Sequence, residues 1–268
     1  MVPQPGHSPR HSGHFGGDRP SVPSGRKGPR KDNDTGLSGA VENPKRVVAH
    51  EAVDRYVEDG MILGLGTGTT AYWVVRRIGE LLAAGELRGV RGIPTSERTV
   101  ALAKEFGVPL LTLSEARPDL TLDGADEVSR DLDVLKGWGG ALLREKIVAA
   151  SSRDGLVIVA EGSKLVESVG KGPVPVEVEP FGCEATLDAL ASLGCDATLR
   201  TDDSDPNRPF VTDGGHYTVD CLFDAIPDPD ALQTEIKRIP GAIETGLFLG
   251  IARAAVVGGA DGVEVFEV

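Results

Sequence analysis

At 268 residues the chain has room for one large domain or two small ones. Hydrophobic residues make up 40% and aromatics only 4%, so Val, Leu, Ile and Ala must fill the core. A net charge of −13 argues against nucleic acid as the main partner, though not against an anionic substrate, whose site can carry a local field of opposite sign. No apolar run approaches the roughly 20 residues of a membrane span, and the first residues lack the apolar stretch of a secretory signal. Cys183, Cys195 and Cys221 show no metal-binding spacing. Cys183 and Cys195 bracket a predicted helix that holds them about 18 Å apart, too far for a disulfide. Buried structural thiols and a reducing, cytoplasmic compartment are expected.

Residues 1–40 are rich in Pro, Gly, Ser and His and have no apolar period, which predicts a disordered, mildly basic tail. His7, His11 and His14 read as low complexity rather than as a metal site. From Pro44 a helix is expected, with Val47, Val48, Ala52, Val53, Tyr56 and Val57 on its apolar face and Gly60 at its end. Met61–Leu65 reads as a buried strand. The run Gly64-Leu65-Gly66-Thr67-Gly68-Thr69-Thr70 covers its end and the following turn, and Ala71–Leu82 is the next helix. Such a turn reads equally as a plain tight turn or as a phosphate cradle of exposed N–H groups. It is not a Walker A loop, because no Lys-Ser/Thr ends it. Gly89–Ile93 is a second strand. Ser96 caps a helix over Glu97–Phe106, and Val108–Leu113 is a third strand.

Asp119–Lys146 holds the densest chemistry. Asp119–Leu122 reads as a strand, and Asp123, Asp126 and Glu127 fall at its carboxyl end, where ligands bind in open α/β sheets. A polar excursion leads to Lys136, then to Gly137-Trp138-Gly139-Gly140, then to a helix that carries Glu145 in its first or second turn. A base, a cation and two aspartates can converge there on one small ligand. The plainer alternative is that the aspartates form turns and Glu145 lies on a solvated helix face. Leu156–Ala160 is a continuous apolar strand that ends at Glu161-Gly162-Ser163-Lys164. Strand–helix alternation to this point predicts a doubly wound, mostly parallel Rossmann-like sheet.

Beyond Lys171 the rhythm changes. Val174–Val178, Glu184–Leu193 and Ala197–Arg200 read as strand, helix and strand. Asp202–Arg208 is a polar loop, and Phe210–Thr212 with His216–Leu222 forms a hairpin around Asp213-Gly214-Gly215. Pro229–Ile239 is a helix capped by Asp228. This is the ferredoxin-like order. A smaller α+β domain is therefore expected at 171–247, inside a Rossmann-like domain of 41–170 and 248–268. His216 is read as structural.

DGADE at Asp123–Glu127, followed by KGWGGALLREK at Lys136–Lys146, resembles the signature of the type A ribose-5-phosphate isomerases. The resemblance covers Lys45 to Val268. It includes GLGTGTTA at Gly64–Ala71, EGSK at Glu161–Lys164, GKGPVPVEV at Gly170–Val178, VTDGG at Val211–Gly215 and IPGAIETGLF at Ile239–Phe248. Trp138 stands where the family has a small or variable residue, and Glu161 where it often has Asp. The resemblance implies aldose–ketose interconversion of D-ribose 5-phosphate and D-ribulose 5-phosphate through an enediolate, in the non-oxidative pentose phosphate pathway. It implies Glu145 as base, Lys136 as the cation at the enediolate oxygen, and Asp123 and Asp126 at the sugar hydroxyls. Thr67, Gly68, Thr69 and Thr70 would hold the phosphate. Gly124, Ala125, Gly137, Trp138 and Gly139 would line the substrate, with Lys164 as a further contact. No metal or organic cofactor is implied, and a homodimer or homotetramer is expected. Two competing readings are a glucosamine-6-phosphate deaminase of similar fold and a non-catalytic sugar-phosphate sensor. The joint presence of Lys136 and Glu145 disfavours the sensor.

Overall fold

The computed structural model describes residues 43–259 and 262–268. The expected tail, with its three histidines, lies outside the described residues. Helix α1 (Pro44–Tyr56) is started by the Asn43 side chain, which accepts from the Lys45 N–H at 3.0 Å, and by Pro44 in the first turn. It stops at Tyr56 rather than at Gly60, because Val57 is already extended. Strand β1 (Ile62–Leu65) leads into α2 (Thr69–Ala84). That helix opens two residues earlier than the apolar pattern predicts, since Gly68, at φ +119°, takes the cap position. Strand β2 (Arg91–Pro94) and α3 (Glu97–Glu105) follow, and the Ser96 hydroxyl caps α3 by accepting from the Thr99 N–H at 3.1 Å.

The strand expected at Val108–Leu113 does not form. Leu110 makes one isolated bridge to Gly92. Pro109 removes a ladder donor, and Glu115 closes a turn by accepting from the Thr112 N–H at 2.8 Å. Strand β3 (Leu120–Asp123) runs one residue further than expected, which makes Asp123 its last residue. The polar excursion after it is a hairpin of β4 (Glu127–Val128) and β5 (Val134–Leu135), strands too short to show a period in the sequence. Helix α4 (Leu142–Ser151), β6 (Leu156–Glu161) and a 3-10 turn (Gly162–Lys164) complete this half.

Next come β7 (Val174–Val178), α5 (Cys183–Ala191) and β8 (Asp196–Leu199). The expected polar loop at Asp202–Arg208 is instead an exposed hairpin of β9 (Thr201–Asp202) and β10 (Asp205–Pro209). It buries no face, so hydrophobic patterning could not reveal it. Residues 210–212 are not a strand, although the turn closes as expected, with the Thr212 N–H donating to the His216 carbonyl at 2.9 Å. Strand β11 (Tyr217–Leu222), α6 (Pro229–Lys237) and β12 (Ala242–Thr245) follow, then β13 (Leu247–Phe248) and the long hairpin β14 (Ala252–Gly259) and β15 (Gly262–Glu267).

The main sheet has the order β15-β14-β6-β3-β1-β2, parallel except for β15. Each strand residue alternates faces, and both faces are covered. Leu63, Leu65, Leu122, Val157, Val159 and Val256 meet α1 and α2 on one side. Leu156, Ile158, Ala160 and Val257 meet α4 and the small sheet of β13, β5 and β4 on the other. Burial on both sides explains why β6 reads as an unbroken apolar run. The chain leaves β1 for β2 and returns across β1 to β3, so a crevice opens where β1 and β3 end. The second large sheet is antiparallel, in the order β12-β7-β11-β8, the ferredoxin-like arrangement. Helices α5 and α6 cover one of its faces through Leu190 and Ile236. Its other face presents Pro175 to the glycine turn after Lys136. No described helix is long and apolar enough to cross a membrane.

Candidate active site

Three charged side chains meet at the mouth of the crevice, and all are almost fully buried: Asp123 is 1% exposed, Lys136 3% and Glu145 4%. Asp123 arrives at the end of β3, Lys136 directly after β5, and Glu145 in the first turn of α4. Lys136 Nζ stands 3.0 Å from Asp123 Oδ2 and 3.4 Å from Glu145 Oε1, and it donates to the Gly124 carbonyl at 2.6 Å. Asp123 Oδ1 accepts from the N–H groups of Gly124, at 2.7 Å, and Thr67, at 3.1 Å. Two glycines permit this convergence. A Cβ on Gly66 would fall 2.0 Å from Asp123 Oδ1, and one on Gly64 would meet Thr121 Oγ1 at 1.9 Å and Val148 of α4 at 2.7 Å.

The electrostatics follow from burial. Desolvation, reinforced by the Asp123 charge, pushes the Glu145 carboxyl up to about 8 against the pull of Lys136. Desolvation also raises Asp123, opposed by Lys136 and by the two N–H donors. Burial alone would lower Lys136, but Asp123 and Glu145 outweigh it and hold the ammonium charged, above its ordinary range. The result is a permanent cation beside a carboxylate that exchanges its proton near neutrality. That is the pairing a proton shuttle at carbon requires.

Around the triad the turn 137–140 is held by its backbone. Asp126 accepts from the Trp138 N–H at 2.9 Å, and Arg98 donates to the Gly139 carbonyl at 2.9 Å. The Trp138 indole, 40% exposed, donates to the Pro173 carbonyl at 3.0 Å. Lys164 Nζ lies 5.1 Å from the centre of the indole ring, a cation–π contact. Ala125 instead packs against apolar neighbours. Glu127 is a structural carboxylate, accepting from the N–H groups of Gly170, Lys171 and Gly172.

The start of α2 lies beside Gly124, where an added Cβ would stand 3.7 Å from Thr70 Cβ. Gly68, Thr69 and Thr70 surround a helix N-terminus with no side-chain cap, a ready position for an anion. The Thr67 hydroxyl points elsewhere, into a buried cluster with Thr95 and Ser96 at 2.8 Å and Thr99 at 3.1 Å. Ser96 thus belongs to that cluster besides capping α3. Sequence reasoning missed Lys45, which donates to Thr69 Oγ1 at 2.9 Å and pairs with Glu161 at 3.3 Å. Its only signal was a basic residue at the head of a helix. His216 pairs with the buried Glu177 at 2.8 Å. Among the described residues, no three His, Cys, Asp or Glu side chains cluster as metal ligands.

A buried carboxylate with a raised pKa set against a fixed cation, near an uncapped helix start that can take an anion, is an arrangement suited to proton transfer on an anionic substrate. The profile of the family described as ribose 5-phosphate isomerase A (phosphoriboisomerase A) matches residues 91–262. A ribose-5-phosphate isomerase A of Gloeobacter violaceus is 51% identical over 224 residues, 82% of this chain and 94% of the relative. The ribose 5-phosphate isomerase A structure from Methanocaldococcus jannaschii superposes with a TM-score of 0.79 at 39% identity, covering 84% of this chain and 98% of that one. A D-ribose-5-phosphate isomerase solved in complex with phospho-erythronic acid gives 0.81 at 36% identity, covering 85% and 100%. The chain belongs to the ribose 5-phosphate isomerase A family.

Proposed function

We propose that Glu145, Lys136 and Asp123 carry the family's interconversion of D-ribose 5-phosphate and D-ribulose 5-phosphate in this chain. The observation that supports it is the buried Lys136 held between two carboxylates. Glu145, ionised, takes the C2 proton of the open-chain aldose and returns it to C1. Lys136 faces the oxygen on which negative charge develops in the enediolate. Asp126, and Asp123 through its fixed orientation, serve the sugar hydroxyls and ring opening. Thr69, Thr70 and the N–H groups at the head of α2 receive the phosphate, joined by Lys45, with Lys164 as a further contact. Phospho-erythronic acid, the ligand of the relative, combines a phosphate with an oxidised first carbon, the two ends this cleft would engage. The direct test is proton NMR of ribose 5-phosphate with the pure protein. Appearance of ribulose 5-phosphate supports the reading, and an unchanged aldose spectrum sinks it.

We further place the enzyme in the cytoplasm, supported by its free cysteines, as a homodimer or homotetramer. Phe181, Val211 and Ile147 are among its exposed apolar side chains. Sedimentation gives the state. We likewise propose the division into 41–170 with 248–268, and 171–247, supported by the two separate large sheets within one compact unit.

Two expected results arise here. The kcat/KM for ribose 5-phosphate should rise with pH, tenfold per unit, to a midpoint near the Glu145 value of about 8. The sign follows because the base acts only when ionised. A flat profile from pH 6 to 9 removes Glu145 as the titrating base. Thr70→Val should raise KM severalfold and leave kcat nearly unchanged, because the phosphate keeps its charge during proton transfer. An unchanged KM takes Thr70 out of the phosphate site.

A further inference from the structure

The turn between Lys136 and α4 has one bond of its own, the Gly140 N–H donating to the Gly137 carbonyl at 3.0 Å, and that carbonyl has a second partner outside the turn. Gly137, Gly139 and Gly140 are residues that lose the most conformational freedom on folding, yet this turn sets the separation of cation and base. Upstream, Lys136 is fixed by its N–H, which donates to the Gly246 carbonyl at 2.8 Å. Downstream, Gly137 sits at φ +115°, and its carbonyl meets the four-stranded sheet. There Arg200, just after β8, donates through Nη1 to the Gly137 carbonyl at 2.8 Å and to the Trp138 carbonyl at 3.4 Å. Asp220 on β11 fixes the guanidinium from the other side. Nε donates to Oδ2 at 2.9 Å and Nη2 to Oδ1, a two-pronged fork that sets the plane of the group. Phe210, whose ring centroid is 5.8 Å from the guanidinium carbon, presses on the same turn. A Cβ on Gly140 would lie 2.3 Å from its Cζ.

We propose that Arg200, oriented by Asp220, is a positioning residue for the isomerisation: by clamping the Gly137 carbonyl it holds Lys136 Nζ between Asp123 and Glu145. The inference rests on the reading of Lys136 and Glu145 given above. It assigns the four-stranded sheet a part in the chemistry, since the clamp is built from the end of one of its strands and the middle of another. A misplacement of about 1 Å can cost a hundredfold in rate. A Lys136 that has drifted also attracts the Glu145 carboxylate less, so the base ionises at higher pH.

The test compares the parent, Arg200→Ala and Arg200→Lys at a temperature well below their melting points. For Arg200→Ala the expected result is a ten- to hundredfold fall in kcat, a KM within threefold of the parent, and a kcat/KM midpoint at least half a unit higher. Arg200→Lys keeps a donor and a charge beside Asp220 but not the fork, so it should recover part of the kcat. A folded Arg200→Ala protein with kcat within twofold of the parent, or with an unmoved midpoint, overturns the proposal and leaves Arg200 a stabilising ion pair. Should that variant fail to fold, Asp220→Asn decides by the same two readouts, because it releases the fork while keeping the side-chain shape. A third readout needs no turnover. In a Trp73→Phe background Trp138 is the remaining tryptophan of two, and its acrylamide quenching should increase when Arg200 is replaced. If the parent does not isomerise ribose 5-phosphate, the functional reading fails by itself, and unchanged Trp138 quenching would refute the clamp separately.

Discussion

Glu145→Gln should abolish nearly all isomerisation while making the protein more stable. Glutamine keeps the size of the side chain but accepts no proton at neutral pH. The loss expected for a general base is ~10²–10⁴-fold in kcat, about 2.7–5.4 kcal/mol of barrier. Exchange of the substrate C2 proton with deuterated solvent should vanish with it. Stability moves the other way because the folded enzyme holds the Glu145 carboxyl up at about 8, against an ordinary 4.5. Between those values the folded state binds more protons than the unfolded chain, so the parent loses stability as pH rises through that window. The variant carries no such penalty. Its advantage should be absent below about pH 4.5, grow across the window and level off above pH 8, with an upper limit of about 5 kcal/mol. A melting-temperature series from pH 4 to 9 reads this directly. A folded variant that turns over within a few-fold of the parent and still exchanges the proton eliminates Glu145 as the base.

Lys136→Met should fail in both respects. Removing the cation takes away the charge opposite the enediolate, a loss on the order of 10²–10³-fold in kcat. It also leaves Asp123 and Glu145 buried without a counter-ion. Breaking a buried ion pair from one side costs about 3–5 kcal/mol, and methionine fills the lysine stem's place, so little of that cost is a cavity. The two carboxyls escape by taking up protons. The deficit should therefore shrink as pH falls. A Lys136→Met protein as stable as the parent at pH 8 would show that the three groups do not share one electrostatic site.

The three charged residues that converge were legible because they fall in one short stretch, Asp123 to Glu145, where residue type and glycine spacing carry the signal. Their burial was not. Nothing in Arg144-Glu145-Lys146 says that Glu145 faces inward while Arg144 reaches Glu97 on the surface. The strand–helix alternation of the main sheet was legible wherever an element buried a full face, as in β6. It was illegible at β4, β5, β9 and β10, which are too short or too exposed to leave a period. The start of α2 was misplaced because only the positive φ of Gly68 puts Thr69 and Thr70 inside the first turn. Lys45 and Arg200 were missed for a third reason. Arg200 acts on a carbonyl 63 positions away, and sequence-local patterns carry no information about such pairs.

The glycines of the loop after β1 bear on how this scaffold could be turned to other substrates. A directed-evolution library aimed at a different anionic group would naturally randomise all of Gly64 to Thr70. Gly64 and Gly66 are closed to that search, because any side chain there strikes Thr121 and Val148 or the Asp123 carboxyl before it reaches a ligand. Gly68 has open space around its missing Cβ, but its backbone, at φ +119° and ψ −174°, lies in a region open almost only to glycine. Variation in substrate scope is thus confined to Thr69, Thr70 and the Lys45 that bonds Thr69, while the glycines of the motif are held fixed, two by the side chains packed against them and one by its backbone.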